Sequence, residues 1–381
     1  MLHDIKNIFH LIIIFQCLFF SFYLLTQKHK RRPSNLILAG FLLSKALTEI
    51  GGVLVHFRAL KNLAIVNFPH IFYIEYPFYY IYVPFLFLYI FSFTKKDFKF
   101  RKVYLLHFIP FLFFLVLITL KFHIKSADSL RTILQTDSLF SLMESRVFDF
   151  AQYLQFFVYA VASLIILRNY RIKIKTVFST IEHINLSWLN FVVFGFISWK
   201  SLRFLNYILW ITTESSIVIY LYIVAEIIFL IFVSLMFLKG LRQPVILTGY
   251  EDNQYKRKYE KTSLSEEIKE TYKNKLLQYM ENQKFYLDSS LCINDLAEKV
   301  SIPPHHLSQV INTCFNQNFF DFINSFRIKE SKKLLSEQAL NKKTILEILY
   351  ETGFNSKSVF NTAFKKHTRM TPTQFKKLRN S

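Results

Sequence analysis

The sequence predicts an all-α protein in two parts, an N-terminal bundle of seven transmembrane helices and a C-terminal helical domain with two helix-turn-helix units. Three observations predict it. From Met1 to Leu238 the chain is a series of long Phe/Ile/Leu/Tyr blocks, and a bilayer core takes about 20 apolar residues at a rise of about 1.5 Å each. From about Lys239 it turns polar and charged, with apolar residues recurring at helical spacing. Finally, Gly353 to Ser381 holds Lys357, Lys365, Lys366, Arg369, Lys376, Lys377 and Arg379 with no Asp or Glu. A one-signed field of that kind, in a 381-residue chain of formal net charge +21, suits a polyanion such as DNA.

The apolar stretches run over 8–25, 35–55, 68–93, 104–120, 147–167, 188–208 and 217–238. The first is expected to stay as an anchor, because Lys28, Lys30, Arg31 and Arg32 follow its apolar run and no small-x-small cleavage site precedes them. Basic clusters mark the cytoplasmic side. They follow the first, third, fifth and seventh stretches (Lys28 to Arg32, Lys95 to Lys102, Arg168 to Lys175, Lys239 with Arg242), while the alternate loops are poorer. The N-terminus is therefore expected outside and the C-terminal part in the cytoplasm, with the chain in the cytoplasmic membrane. The sixth stretch contains Lys200 and Arg203, and each could cost about 2.5–3.5 kcal/mol at the centre of a span. It is kept because omitting it would put the basic domain outside, against Lys239 and Arg242. Pro77 and Pro84 predict a kink in the third.

Lys45, Glu49, Glu75, Asp149 and Glu226 also fall within spans. Buried charge in lipid needs a partner, and Arg203 with Glu226 is the most central pairing. Two readings stay open: a polar pocket inside the bundle, or charges that snorkel at helix ends and pair to hold it together. The aromatic run YIEYPFYYIYVPFLFLYIF either lines an apolar ligand site or, as is more common for such a block, is lipid-facing bulk and interfacial belt. No His/Glu metal set, nucleophile elbow or phosphate loop is present, so no enzyme and no cofactor is expected. Cys17, Cys292 and Cys314 are too scattered for a metal site or a disulfide framework.

Residues 241–282 are expected to form a linker and an amphipathic helix. Gly249 to Lys261 is polar and mixed in charge; Ser263 with Glu266 spells a capping box, and Ile268, Tyr272, Leu276, Tyr279 and Met280 recur at helical spacing to about Asn282. That helix either relays a signal and pairs two protomers or packs on its own domain. Residues 283–381 then read as two helix-turn-helix units. In the first, Ile293, Leu296, Ala297 and Val300 share a face, Ser301 and Ile302 turn, and Pro304 opens a helix with Leu307, Val310 and Ile311 inward. A connecting helix, about Phe319 to Glu337, carries Phe322, Ile323, Phe326, Ile328, Leu334 and Leu335. The second unit opens on the capping box Thr344 and Glu347, with Ile345, Ile348 and Leu349 inward. Gly353 supplies a left-handed residue, Phe354 a core plug, Asn355 or Ser356 a cap, and Phe360, Ala363 and Phe364 the inward face. Thr371, Pro372 and Gln374 start a short closing helix.

The segments LCINDLAEKVSIPPHHLSQVIN, FFDFINSFRIKESKKLL and TILEILYETGFNSKSVFNTAFKKHTRMTPTQF resemble the DNA-binding domain of AraC/XylS-type transcriptional regulators over about Gln283 to Arg379. The GF-x-S-x-x-x-F-x-x-x-F-K-K run, the T-P and both helix-turn-helix units occur in the order of that family. The resemblance implies a domain whose two recognition helices enter successive major grooves. Carried over by position, it implies His305, Gln309, Lys357, Ser358, Asn361 and Thr362 as base readers, and Ser308, Asn312, Lys365 and Lys366 as phosphate contacts. This chain departs from the family pattern at Ser301 and Arg369, where glycine is usual, at Pro303, usually a cap serine, and at Leu349, usually alanine. Expected partners are double-stranded promoter DNA, the lipid bilayer, a second copy of the chain and RNA polymerase; a small-molecule effector is left unidentified. The rival reading is a membrane receptor or transporter whose cytoplasmic domain binds a protein.

Overall fold

The helices follow the apolar periodicity. A computed structural model describes residues 2–26, 32–95, 98–136, 142–180, 186–213, 215–241, 264–336 and 343–380. The basic residues from Lys28 to Arg31, Glu214, Arg242, the polar connection from Gly249 to Lys261 and Ser263 lie outside the described residues. The chain divides into two units, Met1–Leu167 with Trp188–Gly249, and Arg168–Ser187 with Tyr250–Ser381.

The first unit comprises α1 (Leu2–Thr26), α2 (Arg32–His56), α3 (Arg58–Asn67), α4 (Tyr82–Phe93), α5 (Ile109–Ile118), α6 (Ala127–Thr136), most of α7 (Leu142–Lys175), α8 (Leu186–Thr212) and α9 (Ile217–Leu241). Among the described residues, six segments are long and apolar enough to cross a membrane: Lys6–Thr26, Pro33–Leu54, Pro69–Phe93, Lys102–His123, Arg146–Lys175 and Ile217–Lys239. The sixth predicted span lies in α8, a helix of 27 residues that carries Lys200 and Arg203. Two spans differ from regular helices. The third is not a kinked α-helix: 3-10 turns at Pro69–Ile71 and Tyr76–Tyr80 precede α4, because proline removes a backbone donor and crowds the preceding turn. The fourth is 3-10 over Lys102–Phe108, α over α5, and π over Thr119–His123. The short helices α3 and α6, unmarked in the sequence reading, pack with Phe72 and Phe122 into a small core through Ala64, Ile65, Leu130 and Leu134.

The second unit contains α10 (Glu266–Gln283), α11 (Ile293–Lys299), α12 (Pro304–Phe315), α13 (Phe319–Ser336), α14 (Ile345–Glu351), α15 (Lys357–Thr368) and α16 (Pro372–Asn380). The cap of α10 is Ser265, whose side chain accepts from Ile268 N, rather than Ser263. Of the two readings of this helix, packing on its own domain is what the structure has: Leu276 and Met280 are buried with Ile293, Leu296, Val300, Leu307 and Ile311. A separate core in the second half joins Ile328, Leu335, Ile348, Leu349, Phe354, Phe360 and Phe364. Of the apolar residues expected inward on α13, Phe326 and Leu334 are only half-buried; in their place Asn324, Arg327 and Ser331 are buried.

Arg327 accounts for Asn324, whose Oδ1 lies 3.4 Å from its Nη1, while Ser331 Oγ donates to Thr352 Oγ1 at 3.0 Å. Arg327 itself is the largest of the three. It is 1% exposed and its guanidinium donates to Tyr286 O at 2.7 Å, Asp288 O at 2.8 Å, Ser179 Oγ at 3.1 Å, and Ser179 O and Thr180 Oγ1 at 3.2 Å. Buried charge persists only where its donors are met, and five guanidinium N–H groups in a fixed fork suit this ring of acceptors. Two of those acceptor residues lie just past α7, about 150 residues earlier in the chain. That stretch runs beside the first helix-turn-helix pair: Ile293 N donates to Val177 O at 2.9 Å, Ser179 N to Leu291 O at 3.2 Å, and Phe178 bridges Cys292 in antiparallel fashion. Val177 is buried in the same core as Leu296. The second unit is thus built from two separated pieces of chain.

Candidate nucleic-acid interface and polar cavity

Each helix-turn-helix pair is set by local chemistry. The Asp295 carboxylate accepts from Cys292 N at 3.0 Å at the start of α11, a cap on a cysteine that the sequence reading did not anticipate. Ser301 turns with φ of 48°, and Pro303 and Pro304 open α12. The left-handed backbone that glycine would accept freely is adopted here by serine, and at the end of α15 by Arg369 with φ of 64°. In the second pair the Glu347 carboxylate accepts from Thr344 N at 2.6 Å and Thr344 Oγ1 accepts from Glu347 N at 3.2 Å. These bonds hold the Glu347 carboxyl below the usual range. Gly353 turns with φ of 83°, and Ser356 caps α15 by accepting from Val359 N. Thr371 and Gln374 form the same reciprocal cap on α16, with Thr371 N donating to Gln374 Oε1 at 2.9 Å.

With Leu307, Val310 and Ile311 buried on α12, and Phe360, Ala363 and Phe364 on α15, the remaining faces carry the predicted contact residues. On α15, Lys357, Ser358, Asn361, Thr362, Lys365 and Lys366 are all exposed. Thr362 Oγ1 donates to Ser358 O at 2.8 Å, and Lys366 Nζ lies 2.9 Å from Asp321 Oδ1, so Lys366 presents a partly neutralised charge. On α12, Asn312 is exposed and His305, Ser308 and Gln309 are half-buried. The His305 ring sits 3.9 Å from that of His306, and burial together with that neighbour lowers its pKa. Between the pairs, α13 packs against α12, α14, α15 and α16, and its 18 residues span about 27 Å at about 1.5 Å per residue.

The first unit holds a cavity of about 360 Å³. Arg203 and Glu226 both line it, with Arg203 Nη1 3.6 Å from Glu226 Oε1. Around them stand Lys45, Glu49, Glu75 and Asp149, noted in the sequence as charges within spans, together with His10, Gln152 and Lys200. Lys45 pairs with Glu49, whose other oxygen lies 2.5 Å from His10 Nδ1. Lys200 Nζ donates to Tyr82 OH at 2.6 Å and to Gln152 Oε1 at 3.3 Å, and Gln152 Nε2 donates to Asp149 at 2.9 Å. Glu75 Oε2, Glu226 Oε2 and Arg203 Nη1 are buried without a hydrogen-bond partner. Gly51 and Gly52 let α2 approach this cluster, since a Cβ there would fall 2.3 Å from the Glu75 side chain or 2.6 Å from the His10 ring. The lining comes from the early part of α1, the late part of α2, the stretch from Glu75 to Tyr82, the early part of α7, the late part of α8 and the early part of α9. Alternation of early and late sections puts the cavity toward the end of the bundle at which α9 begins. That alternation was readable in the sequence; the sequence reading compared only Arg203 and Glu226.

Residues 296–378 match the family model described as a helix-turn-helix domain. The chain carries a C-terminal helix-turn-helix domain. Over 99 residues this part is 34% identical to an uncharacterized HTH-type transcriptional regulator of Pseudoalteromonas carrageenovora, covering 26% of this chain and 55% of that protein. The melibiose operon regulatory protein of Escherichia coli is 33% identical over 91 residues, 24% of this chain and 29% of its own. The Msm operon regulatory protein of Streptococcus mutans is 32% identical over 89 residues, 23% and 31%. The match thus spans about half of the first relative and under a third of the other two. The helix-turn-helix domain, matched over residues 296–378, and these relatives support DNA-binding transcription regulation.

Proposed function

We propose that the protein is a sequence-specific transcription regulator of the AraC type, held in the cytoplasmic membrane by the helices of its first unit and binding promoter DNA in the cytoplasm. The observation that carries this is the pair α12 and α15, each buried on its apolar face in its own core while its polar face stays accessible. The six apolar segments support the membrane half. His305, Gln309, Lys357, Ser358, Asn361 and Thr362 read base edges, and Ser308, Asn312, Lys365 and Lys366 hold phosphates. A signal acts through its different affinity for two states of the chain, and two copies in one membrane raise the effective concentration for paired half-sites. RNA polymerase then meets the bound regulator at the promoter.

Genome-wide mapping of DNA bound by the full chain in its membrane supplies the target sequence. Binding to that sequence by the full chain in lipid nanodiscs is expected to fall about 5- to 150-fold in Lys357→Ala or Asn361→Ala, equivalent to about 1–3 kcal/mol each, with relaxed preference at the base concerned. Lys365→Ala is expected to weaken all DNA alike and reduce the slope of log affinity against log salt by about 1. A chain that shows no preference for any sequence over bulk DNA would favour the receptor whose terminal domain binds a protein.

A further inference from the structure

We propose that the cavity of the first unit binds a small zwitterion, an organic molecule bearing one ammonium and one carboxylate group. The volume of about 360 Å³ lies at the lower end of the roughly 300–1,000 Å³ typical of small-molecule pockets. The charge pattern narrows the chemistry. Glu75 is 6% exposed and Glu226 3%, and each keeps one carboxylate oxygen without a hydrogen bond. No cation lies within ion-pair distance of Glu75 among the described residues. Lys200, 4% exposed, is held by a phenol and an amide, both neutral, and by the Tyr153 ring, while Arg203 stacks on the Tyr222 ring and pairs with Glu226 at 3.6 Å. Glu75 and Lys200 therefore line one cavity, each buried without an ion-pair partner of its own among the described residues, where charge without a counter-charge is costly.

A ligand ammonium at Glu75 and Glu226 and a ligand carboxylate at Lys200 and Arg203 would supply both. A simple amine or a simple carboxylate supplies one and adds net charge, whereas a neutral polyol satisfies hydrogen bonds and leaves both charges unmatched. Tyr79 gives aromatic wall for the ammonium to face, whereas the Tyr222 ring already carries Arg203 and Lys6 and the Trp199 ring Lys45. The inference rests on the membrane reading for access: the cavity lies toward the end at which α9 begins, which in the proposed topology faces away from the cytoplasm, so the zwitterion arrives from outside the cell.

The test uses the full chain in nanodiscs, titrated calorimetrically with free α-amino acids and betaines, the decarboxylated amine and deaminated acid of each, and glucose as a neutral polyol. At least one zwitterion is expected to bind saturably, with its amine and acid analogues weaker by about tenfold or more. Glu75→Gln and Lys200→Met are each expected to lose about tenfold or more of that affinity. Absence of binding by every zwitterion in the panel, equal binding by glucose, or undiminished binding in both variants would overturn the proposal. Should a variant fail to fold, the analogue series on the unmodified protein still decides. Promoter binding measured on the same nanodiscs separates the two readings: zwitterion binding without DNA preference sinks the regulator and leaves the cavity assignment standing.

Discussion

Replacing Arg327 with alanine is expected to destabilise the C-terminal unit strongly, although the residue lies on none of the faces proposed to meet DNA. Alanine would strand the carbonyls of Tyr286 and Ser179, whereas Asp288 O keeps its bond from Leu291 N at 3.3 Å. An unsatisfied buried polar group costs about 1–3 kcal/mol, so two of them with the lost packing come to roughly 3–5 kcal/mol, against a total of about 5–15 kcal/mol for an ordinary domain. The measurement is proteolysis of the full chain across a urea series, with cleavage followed between residues 264 and 380. Lysine is expected not to rescue, because a single ammonium cannot reproduce the fork. Ser179→Ala removes the hydroxyl, which accepts from Arg327 Nη2 and donates to Leu291 O at 2.5 Å, leaves its carbonyl and Thr180 Oγ1 in place, and is expected to cost about 1–2 kcal/mol. Equal effects from Arg327→Ala and Ser179→Ala would sink this account.

Gly353→Ala is expected to destabilise the same unit by about 2–5 kcal/mol. Its φ of 83° is a region that side chains rarely adopt, at a cost of order 1–3 kcal/mol. A Cβ would also stand 2.7 Å from Leu287 O and 2.9 Å from Tyr286 O, and forcing an atom into packed structure adds about 1–3 kcal/mol. Relief by moving the Tyr286 carbonyl is blocked, because that oxygen accepts from Arg327 Nε at 2.7 Å. The two substitutions therefore act on one contact and should be less than additive when combined. A midpoint for Gly353→Ala within about 0.5 kcal/mol of the unmodified protein, a shift typical of neutral surface changes, would show that the turn has room.

What depended on local pattern was legible in the sequence. The reciprocal caps at Thr344 with Glu347 and Thr371 with Gln374 follow from residue types three apart, and Leu296, Val300, Leu307 and Ile311 from helical period. Ser301 and Arg369 show that a departure from the usual glycine can change the residue and keep the turn, since both have positive φ. The third span shows the converse: Pro77 and Pro84 marked a break, but sequence could not say that it takes the form of 3-10 turns. What depended on distant chain was not legible. Val177 and Phe178 read as two apolar residues in a basic loop, and Arg327 as one more charge on a helix, because a partner some 150 positions away leaves no period. The cavity was legible in part: the charges within spans marked a polar pocket as one of two readings, while His10 on α1 and the aromatic lining brought in from α7, α8 and α9 left no such mark.

The stitching of Val177 to Thr180 against Leu291 and Arg327 also sets a rule of parity. Residues 168–187 and 250–381 fold as one unit, so they share one side of any bilayer the chain threads. Between leaving that unit and returning to it, the polypeptide must cross an even number of times. If α9 crosses, as its apolar length allows, α8 must cross too, in spite of Lys200 and Arg203. Both of those charges line the polar cavity, so the crossing that parity demands is one that the bundle can shelter.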